Sequence, residues 1–256
     1  MTPHFESIEN FRDIGGYDTA CGRGLKRGVL FRSANHSYAT DEDLARLREL
    51  GVRTIVDLRR PMERKREPSR RWDGFDGHVV ENDHEVEHKD WTVMLQHAPQ
   101  IDAAWFYEDS ITFYRAGPYE ERHIDLFGRW FRAVGDHEGG VLVHCAAGKD
   151  RTGMICALTQ HMAGVHRDGI YEDFLKTNDP ARQDKRVAFL GPWIKDLTGR
   201  TVTEDALRVA VSVNADYLAA AFDQIERTSG SVDDYLRDVL GVDDGLRKRI
   251  EARILG

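Results

Sequence analysis

The chain has 256 residues, of which 41% are hydrophobic and 31% charged, the composition of an ordinary globular protein with a full core. Its formal net charge of −8 argues against a nucleic-acid binder, because such proteins present a basic surface. No apolar run is long enough to cross a bilayer, and the first residues lack the features of a cleavable signal peptide, so we expect no integral membrane association and either a cytoplasmic location or export without such a peptide.

The first part of the chain alternates strands and helices. Residues 28–32 have the pattern of a strand, and a helix capped by Thr40 ends at Gly51. Residues 52–58 form a β-branched strand, and 78–80 a shorter one. A helix followed by a strand at this spacing predicts a parallel sheet covered by helices.

The second part is mainly helical. A helical pattern from Asp102 to Val134 breaks at Gly117 and Pro118, and a short apolar strand at 141–143 precedes a helix at about 152–162. Further helices are predicted near 167–177, 181–197, 203–210, 214–228, 231–240 and 243–254. Because we find no linker or internal repeat, we predict one domain spanning 1–256.

The junction between that short strand and its helix carries the chemistry. The strand ends at Cys145, and Arg151 follows after five residues at the start of the helix. Small residues let the loop curl so that its N–H groups form an anion nest, and the same field favours the thiolate of Cys145. The guanidinium of Arg151 can hold two oxygens of a phosphate or sulfate ion. The expected contacts to such an ion are Ala146, Ala147, Gly148, Lys149, Asp150, Arg151 and Thr152.

Two neighbours of the nucleophile have supporting roles. The hydroxyl of Thr152 can stabilise the sulfur as a leaving group, and the ring of His144 can orient the loop. With only three cysteines and no CxxC pair, and with irregularly spaced histidines, the sequence predicts neither a metal site nor a cofactor.

Other interpretations of the loop stay open at this point. A cysteine and an arginine at this spacing often occur by chance, and a free thiol is usually a core residue. If Cys145 is only a core residue, the clustering of Lys149, Asp150 and Arg151 at the strand–helix junction has no explanation. A rhodanese-like sulfurtransferase also binds an anion at a cysteine loop, although such loops usually lack the ending Lys-Asp-Arg-Thr-Gly. A phosphate-binding module without catalysis is the third possibility.

The run from His144 to Gly153, HCAAGKDRTG, resembles the phosphate loop of the bacterial PtpB-type tyrosine phosphatase family. Further similar segments lie at 10–16, 30–33, 56–59, 216–221 and 230–238. The resemblance implies a tyrosine phosphatase-like α/β fold, in which helices flank a central, mostly parallel sheet. It also implies an added helical lid, at about 84–118, and a helical C-terminal part. The expected activity is hydrolysis of phosphotyrosine through a phosphocysteine at Cys145, with phosphoserine, phosphothreonine or phosphoinositide as further substrates.

The resemblance also bears on the charged residues near the loop. A lysine inside the loop, here Lys149, resembles the loops of phosphatases that also accept phosphoinositides, because its positive charge can contact a second phosphate. The general acid stays open between Asp83, which follows the strand at 78–80, and Asp150, which lies in the loop itself. Glu81 and His84 are neighbours that could be confused with Asp83.

A second group of residues is expected to brace the site from behind. Arg12 and Asp13 are predicted to form a structural ion pair that braces the loop, with direct contact to the substrate as the alternative. Asp57 and Arg59 occupy positions similar to family motifs, which would let Arg59 approach the site. The basic run from Arg59 to Arg71 is interpreted as a solvated helix whose Glu63 and Glu67 offset part of the charge, although recruitment of phosphorylated substrates is an alternative.

Overall fold

A computed structural model describes residues 4–84 and 91–256, and within these residues the centre of the molecule is a five-stranded sheet. Its strands are β1 (Arg12–Asp13), β2 (Leu30–Ser33), β3 (Val52–Asp57), β4 (His78–Val80) and β5 (Gly140–His144). Their order is β1-β2-β5-β3-β4, with β1 antiparallel to β2 and the other neighbours parallel. All residues of β2 and β5 are buried, as expected where both faces of a parallel sheet are covered.

Helices cover the sheet and make up most of the second half of the chain. They are α1 (Asp41–Glu49), α2 (Pro61–Arg66), α3 (Trp91–His97), α4 (Ala103–Ala116), α5 (Glu121–Asp136), α6 (Asp150–Met162), α7 (Arg167–Leu175), α8 (Pro180–Thr198), α9 (Glu204–Val211), α10 (Ala215–Ser229), α11 (Val232–Asp234, continued by a π-helical turn at Tyr235–Val239) and α12 (Asp244–Ile254). In the described part of the chain, no helix is both long and apolar enough to cross a membrane.

The register of the central strands brings three chain segments to one edge of the sheet. His144, the last residue of β5, is paired with Ser33 at the end of β2 and with Asp57 at the end of β3. The loops that follow these strands therefore begin side by side. In open α/β sheets this carboxyl edge is where ligands bind.

Three groups of buried residues hold the layers together. The largest joins one face of the sheet to α4, α5, α6, α10 and α12, and a smaller one packs α1 against the other face. The third contains no strand residue: Leu95 and Phe106, from α3 and α4, pack with Ile194 and Leu207, from α8 and α9. This helical layer thus draws on two distant parts of the chain.

The predicted fold class is confirmed, and most predicted elements are present. Thr40 caps α1 in a capping box with Asp43, and the break at Gly117 separates α4 from α5. The short elements β1 and α3 were not predicted, because two or seven residues carry too little periodic signal. Of the predicted lid at 84–118, residues 85–90 lie outside the described residues. The remainder contains α3 and α4, and its role as a lid stays a prediction.

Candidate active site

The loop between β5 and α6 is a tight curl whose shape depends on a glycine. Gly148 has φ +62°, a conformation that L side chains rarely adopt. A Cβ at this position would lie 2.4 Å from the backbone oxygen of Ser33. Gly148 is therefore required both for its dihedral angle and for the close approach of β2 to the loop.

Three consecutive carbonyl groups of this loop are bound from outside. The oxygen of Ala146 accepts bonds from the backbone N and the Nδ2 of Asn35, both at 3.1 Å. The oxygen of Ala147 accepts from Arg182 at 3.4 Å, and that of Gly148 from Asn10 at 2.6 Å and from Arg32 at 2.8 Å. A trans peptide points its N–H opposite to its C=O, so these bonds turn the N–H groups of residues 147–149 to the other side.

The inward N–H groups fit an anion. Within the described residues, the backbone N–H groups of residues 146–152 have no hydrogen-bond partner. The N-terminus of α6 lies directly behind them, because this helix begins at Asp150, two residues earlier than predicted. Cys145 is the first residue of the loop and is buried, with an exposed fraction of 3%. The geometry therefore places a free thiol at an anion nest.

The guanidinium of Arg151 is held by residues that the sequence interpretation did not assign to the site. Glu63, on α2, binds its Nη1 at 2.6 Å and its Nη2 at 2.8 Å, and the carbonyl of Leu58 accepts from Nη1 at 3.2 Å. Of the five N–H donors of a guanidinium, this leaves the edge formed by Nε and the second hydrogen of Nη2. Among the described residues this edge has no partner, so it can bind an oxyanion while Glu63 stays in place.

The contact with Glu63 also sets the charge of both partners. Burial opposes ionisation of Glu63, but Arg151 outweighs it and lowers the pKa of Glu63 to about 2. Burial likewise lowers the pKa of Arg151, whereas Glu63 raises it, with a net increase. Both groups are therefore charged at neutral pH. The interpretation of Glu63 as a compensating charge on a solvated helix is wrong.

Lys149 and Asp150 point to different partners. The Nζ of Lys149 donates to the carbonyls of Ala210 at 2.7 Å and Ser212 at 3.1 Å, at the C-terminal end of α9. Burial lowers the pKa of Lys149, and the nearby Asp150 offsets part of this. The expected contact of Lys149 with a second phosphate stays a prediction, because in this conformation the ammonium is bound to helix carbonyls.

Asp150 is held by the buried Tyr114 of α4. The Tyr114 hydroxyl donates to Asp150 Oδ1 at 3.1 Å, and Lys149 Nζ lies 3.6 Å from Oδ2. Burial and then the Asp150 carboxylate raise the pKa of Tyr114 well above its usual value, so this hydroxyl keeps its proton. The carboxylate is nevertheless partly exposed, at 28% of its side chain.

Thr152 and His144 are the two residues with expected supporting roles. The Thr152 hydroxyl is buried and lacks a hydrogen-bond partner in the described part of the chain, which is compatible with the expected role beside the sulfur. The Nδ1 of His144 lies 3.3 Å from the oxygen of Cys145, and its Nε2 lies 3.7 Å from Asp57. Burial lowers the pKa of His144, although Asp57 opposes this.

Asp57 and Arg59 form a buried pair beneath the loop. Arg59 binds both carboxylate oxygens of Asp57, with Nη2–Oδ2 at 2.7 Å, and its Nη1 donates to the carbonyl of Glu67 at 2.6 Å. Burial raises the pKa of Asp57, but His144 and Arg59 outweigh it and lower the pKa strongly. Arg59 is thus a brace for the turn after β3, and most of its donors are already used.

The predicted ion pair between Arg12 and Asp13 is wrong. Arg12 Nε binds Asp173 of α7 at 2.9 Å, and Arg32 Nη1 binds the same carboxylate at 3.2 Å. Asp13 accepts from the backbone N–H groups of Gly15 at 2.8 Å and Gly28 at 2.6 Å. Asp13 therefore stabilises the turn between β1 and β2, and Arg12 takes its partner from α7.

Asp83 follows β4, as predicted, but it points into solvent. Its side chain is 88% exposed and forms an ion pair with Arg64, which is adjacent to Glu63 on α2. The structure therefore places Asp83 beside the helix that holds Arg151, and it does not bring Asp83 into the loop.

Several residues of this site were not found from the sequence. They are Asn10, Arg32 and Asn35 near β1 and β2, Glu63 on α2, Tyr114 on α4, Asp173 on α7 and Arg182 on α8. Most of these contacts cross a long sequence separation and leave no local pattern, although Asn10 and Arg32 lie within the segments 10–16 and 30–33 that resemble the family. Glu63 had a local signal of its own: it accepts a bond from the N–H of Arg60 at 2.7 Å, as a residue three positions after a helix cap often does.

The comparison with protein families agrees with this geometry. A family model described as the tyrosine phosphatase family matches residues 3–256. The match therefore covers nearly the whole chain, including the mostly parallel sheet and the loop from Cys145 to Arg151 at its carboxyl edge. The chain belongs to the tyrosine phosphatase family, whose members are hydrolases that act on phosphoesters.

Individual relatives give the same family. The triple specificity protein phosphatase PtpB of Mycobacterium tuberculosis is 32% identical over 273 residues, covering 96% of this chain and 96% of that protein. A Cupriavidus necator protein assigned to the tyrosine-protein phosphatases is 32% identical over 245 residues, covering 93% of this chain and 84% of its own. The crystal structure of P. aeruginosa TpbA aligns with a TM-score of 0.31 and 19% identity, over 74% of this chain and 89% of that one.

Proposed function

We propose that this phosphatase hydrolyses phosphotyrosine and related phosphate monoesters through a phosphocysteine on Cys145. The observation that carries the proposal is the loop itself. The outward bonds on the carbonyls of Ala146, Ala147 and Gly148 leave a ring of N–H donors around a free thiol, and Arg151 offers one unoccupied edge. A tetrahedral dianion is the ligand that this set of donors fits.

The reaction has two steps, in which the phosphoryl group passes first to Cys145 and then to water. The Cys145 thiolate attacks phosphorus while the bond from phosphorus to the leaving oxygen breaks, and an acid gives that oxygen a proton. Water then attacks phosphorus, its proton goes to the carboxylate that acted as acid, and the S–P bond breaks. Arg151 and the loop N–H groups hold the equatorial oxygens throughout, where charge stabilisation contributes most. The Thr152 hydroxyl donates to the departing sulfur in the second step.

Two carboxylates are candidates for the acid. Asp150 lies on the loop, where Tyr114 fixes one of its oxygens, and its partial exposure leaves the other side open to a leaving group. Asp83 is exposed and paired with Arg64, so its participation would require α2 or the chain after β4 to bring it inward. Asp150→Asn and Asp83→Asn separate the two, because loss of the acid removes the basic limb of the pH–kcat profile in only one of them.

We also propose a broad substrate range. The relative from Mycobacterium tuberculosis carries the name triple specificity phosphatase and matches this chain over nearly its whole length. We infer activity on phosphotyrosine, on phosphoserine or phosphothreonine, and on phosphoinositides. If Lys149 contacts a second phosphate, its bonds to Ala210 and Ser212 must first break.

The test is a panel of phosphopeptides and phosphoinositides with wild type and Cys145→Ser. We expect wild type to be active, with a phosphorylated Cys145 peptide trapped after rapid acid quench. Cys145→Ser should lose turnover and still bind vanadate or phosphate. An active Cys145→Ser enzyme, or a trapped phosphate on another residue, would contradict the mechanism. Formation of thiocyanate from thiosulfate and cyanide would instead indicate a sulfurtransferase.

A further inference from the structure

A buried ion cluster lies behind the catalytic loop. It contains Arg12, Arg32 and Asp173, with exposed fractions of 9%, 0% and 2%. Asp173 binds Arg12 through one carboxylate oxygen, at 2.9 Å, and Arg32 through the other, at 3.2 Å. Two guanidiniums therefore share one carboxylate, which leaves an excess of one positive charge in the interior.

An uncompensated buried charge is costly unless an opposite charge lies nearby. In agreement with this, burial and then repulsion from Arg32 lower the pKa of Arg12. The Nε of Arg32 is buried and has no hydrogen-bond partner within 4–84 and 91–256. The excess charge thus favours an anion close by, and the nest of the loop is joined to the cluster through the carbonyl of Gly148.

The cluster is connected to the loop through one peptide unit. Arg32 Nη2 donates to the carbonyl of Gly148 at 2.8 Å, and Asn10 Nδ2 donates to the same oxygen at 2.6 Å. Arg12 in turn binds Asn10 Oδ1 at 2.6 Å. Both arginines therefore act on the Gly148 carbonyl, and through the planar peptide they fix the inward direction of the Lys149 N–H.

We propose that Arg32 and Asp173 are positioning residues for the catalytic loop, and that the positive excess of their cluster stabilises the thiolate of Cys145. This inference rests on the proposed function, in which Cys145 is the nucleophile. Asp173 holds the guanidiniums of Arg12 and Arg32 in place. Arg32 fixes the Gly148 peptide of the loop and places its positive charge near the loop. Other titratable groups around the loop are Glu63 on α2, Tyr114 on α4, His144 on β5, Lys149, Asp150, Arg151 and Cys156 at or on α6, and Arg182 on α8.

The test measures the pH at which half of Cys145 is alkylated by iodoacetamide, followed by mass spectrometry of its peptide. A Cys21→Ser background is needed, because Cys21 is exposed and a hydrogen bond with Thr19 lowers the pKa of Cys21 to about 7. Cys156 does not interfere, since burial raises the pKa of Cys156 to about 11. In this background we compare Arg32→Gln, Arg32→Lys and Asp173→Asn.

The expected shifts have opposite signs. Arg32→Gln removes a positive charge and should raise the alkylation midpoint by about 1 pH unit, the scale of a nearby charge. Asp173→Asn removes a negative charge and should lower the midpoint, although kcat falls about tenfold because the arginines lose their anchor. Arg32→Lys keeps the charge but not the fork, so we expect an unchanged midpoint and a reduced kcat.

A purely structural role predicts a different result. Loosening the loop would move every variant towards the midpoint of an ordinary free thiol, in the same direction for Arg32→Gln and Asp173→Asn. That result, or three unchanged midpoints, would overturn the inference, whereas the Cys145→Ser experiment would still decide the proposed function. If Arg32→Gln does not fold, the lower midpoint expected for Asp173→Asn and the unchanged midpoint expected for Arg32→Lys decide. Glu226→Gln is the matched control, because it removes a carboxylate that pairs with α7 at the exposed Arg167, and its midpoint should not move.

Discussion

Two segments meet in the ion pair between Arg151 and Glu63, and only one of them can be interpreted from its sequence. Residues 140–153 give an apolar strand, a loop of small residues and a helix, so the order of residue types predicts a loop that binds an anion. Residues 59–67 look like an ordinary charged helix, yet their Glu63 binds Arg151 through both oxygens. The difference is that the first segment works through its own backbone, whereas the second works through a partner 88 positions away.

The largest expected effect comes from Arg151, in the first segment. Arg151→Lys keeps the charge but loses the planar fork, so Glu63 and an oxyanion can no longer be bound on two edges at once. We expect kcat/KM to fall about 10³-fold, the scale of a lost transition-state donor. Steady-state kinetics with a phosphotyrosine peptide measures this, and a loss below about tenfold would show that the guanidinium edges are not used as described.

The second segment should show a smaller loss of activity and a change in acid stability. Glu63→Gln leaves the Arg151 charge without its counter-ion, and we expect about 3 kcal/mol less free energy of unfolding and a kcat reduced about 30-fold. Because the folded-state pKa of Glu63 is about 2 and its ordinary value 4.5, the pair contributes stability that is complete above pH 4.5 and lost as the pH falls towards 2. Urea unfolding between pH 7 and pH 2 should therefore show a steeper acid loss in wild type than in Glu63→Gln. Parallel curves would contradict the pairing.

The curl of the first segment can be tested apart from its charges. Gly148 and Gly22 both have positive φ, at +62° and +77°, but a Cβ on Gly22 would meet nothing within 4 Å. Gly22→Ala should therefore cost about 1 kcal/mol, from the dihedral angle alone. Gly148→Ala should cost about 3 kcal/mol, because its Cβ also overlaps the backbone of Ser33. Equal costs in thermal or urea unfolding would show that β2 does not press against the loop.

The same contrast explains how far the sequence could be interpreted. The strand–helix alternation, the Thr40 cap and the break at Gly117 depend on neighbours in the chain, and all three are found in the structure. The pair of Arg12 with Asp13 was wrong, since adjacency suggested a partner that the fold supplies from α7 instead. Side-chain contacts at a separation of 161 residues leave no periodic trace in one sequence.

The smallest expected effect concerns the ion pair between Arg64, on the second segment, and Asp83, which follows β4. Arg64 binds Asp83, whose side chain is 88% exposed, so water screens the pair and Asp83→Asn should change the free energy of unfolding by less than about 0.5 kcal/mol. Arg64→Ala should cost about 1 kcal/mol, because the Arg64 side chain is only 13% exposed and also donates to the carbonyl of Arg59 at 2.7 Å. A double-mutant cycle should give a coupling of less than about 1 kcal/mol. Because stability is nearly unchanged, any large fall in kcat for Asp83→Asn alone must come from proton transfer and would make Asp83 the acid. A fall of equal size in Arg64→Ala would instead mean that α2 is displaced, and with it the Glu63 that holds Arg151.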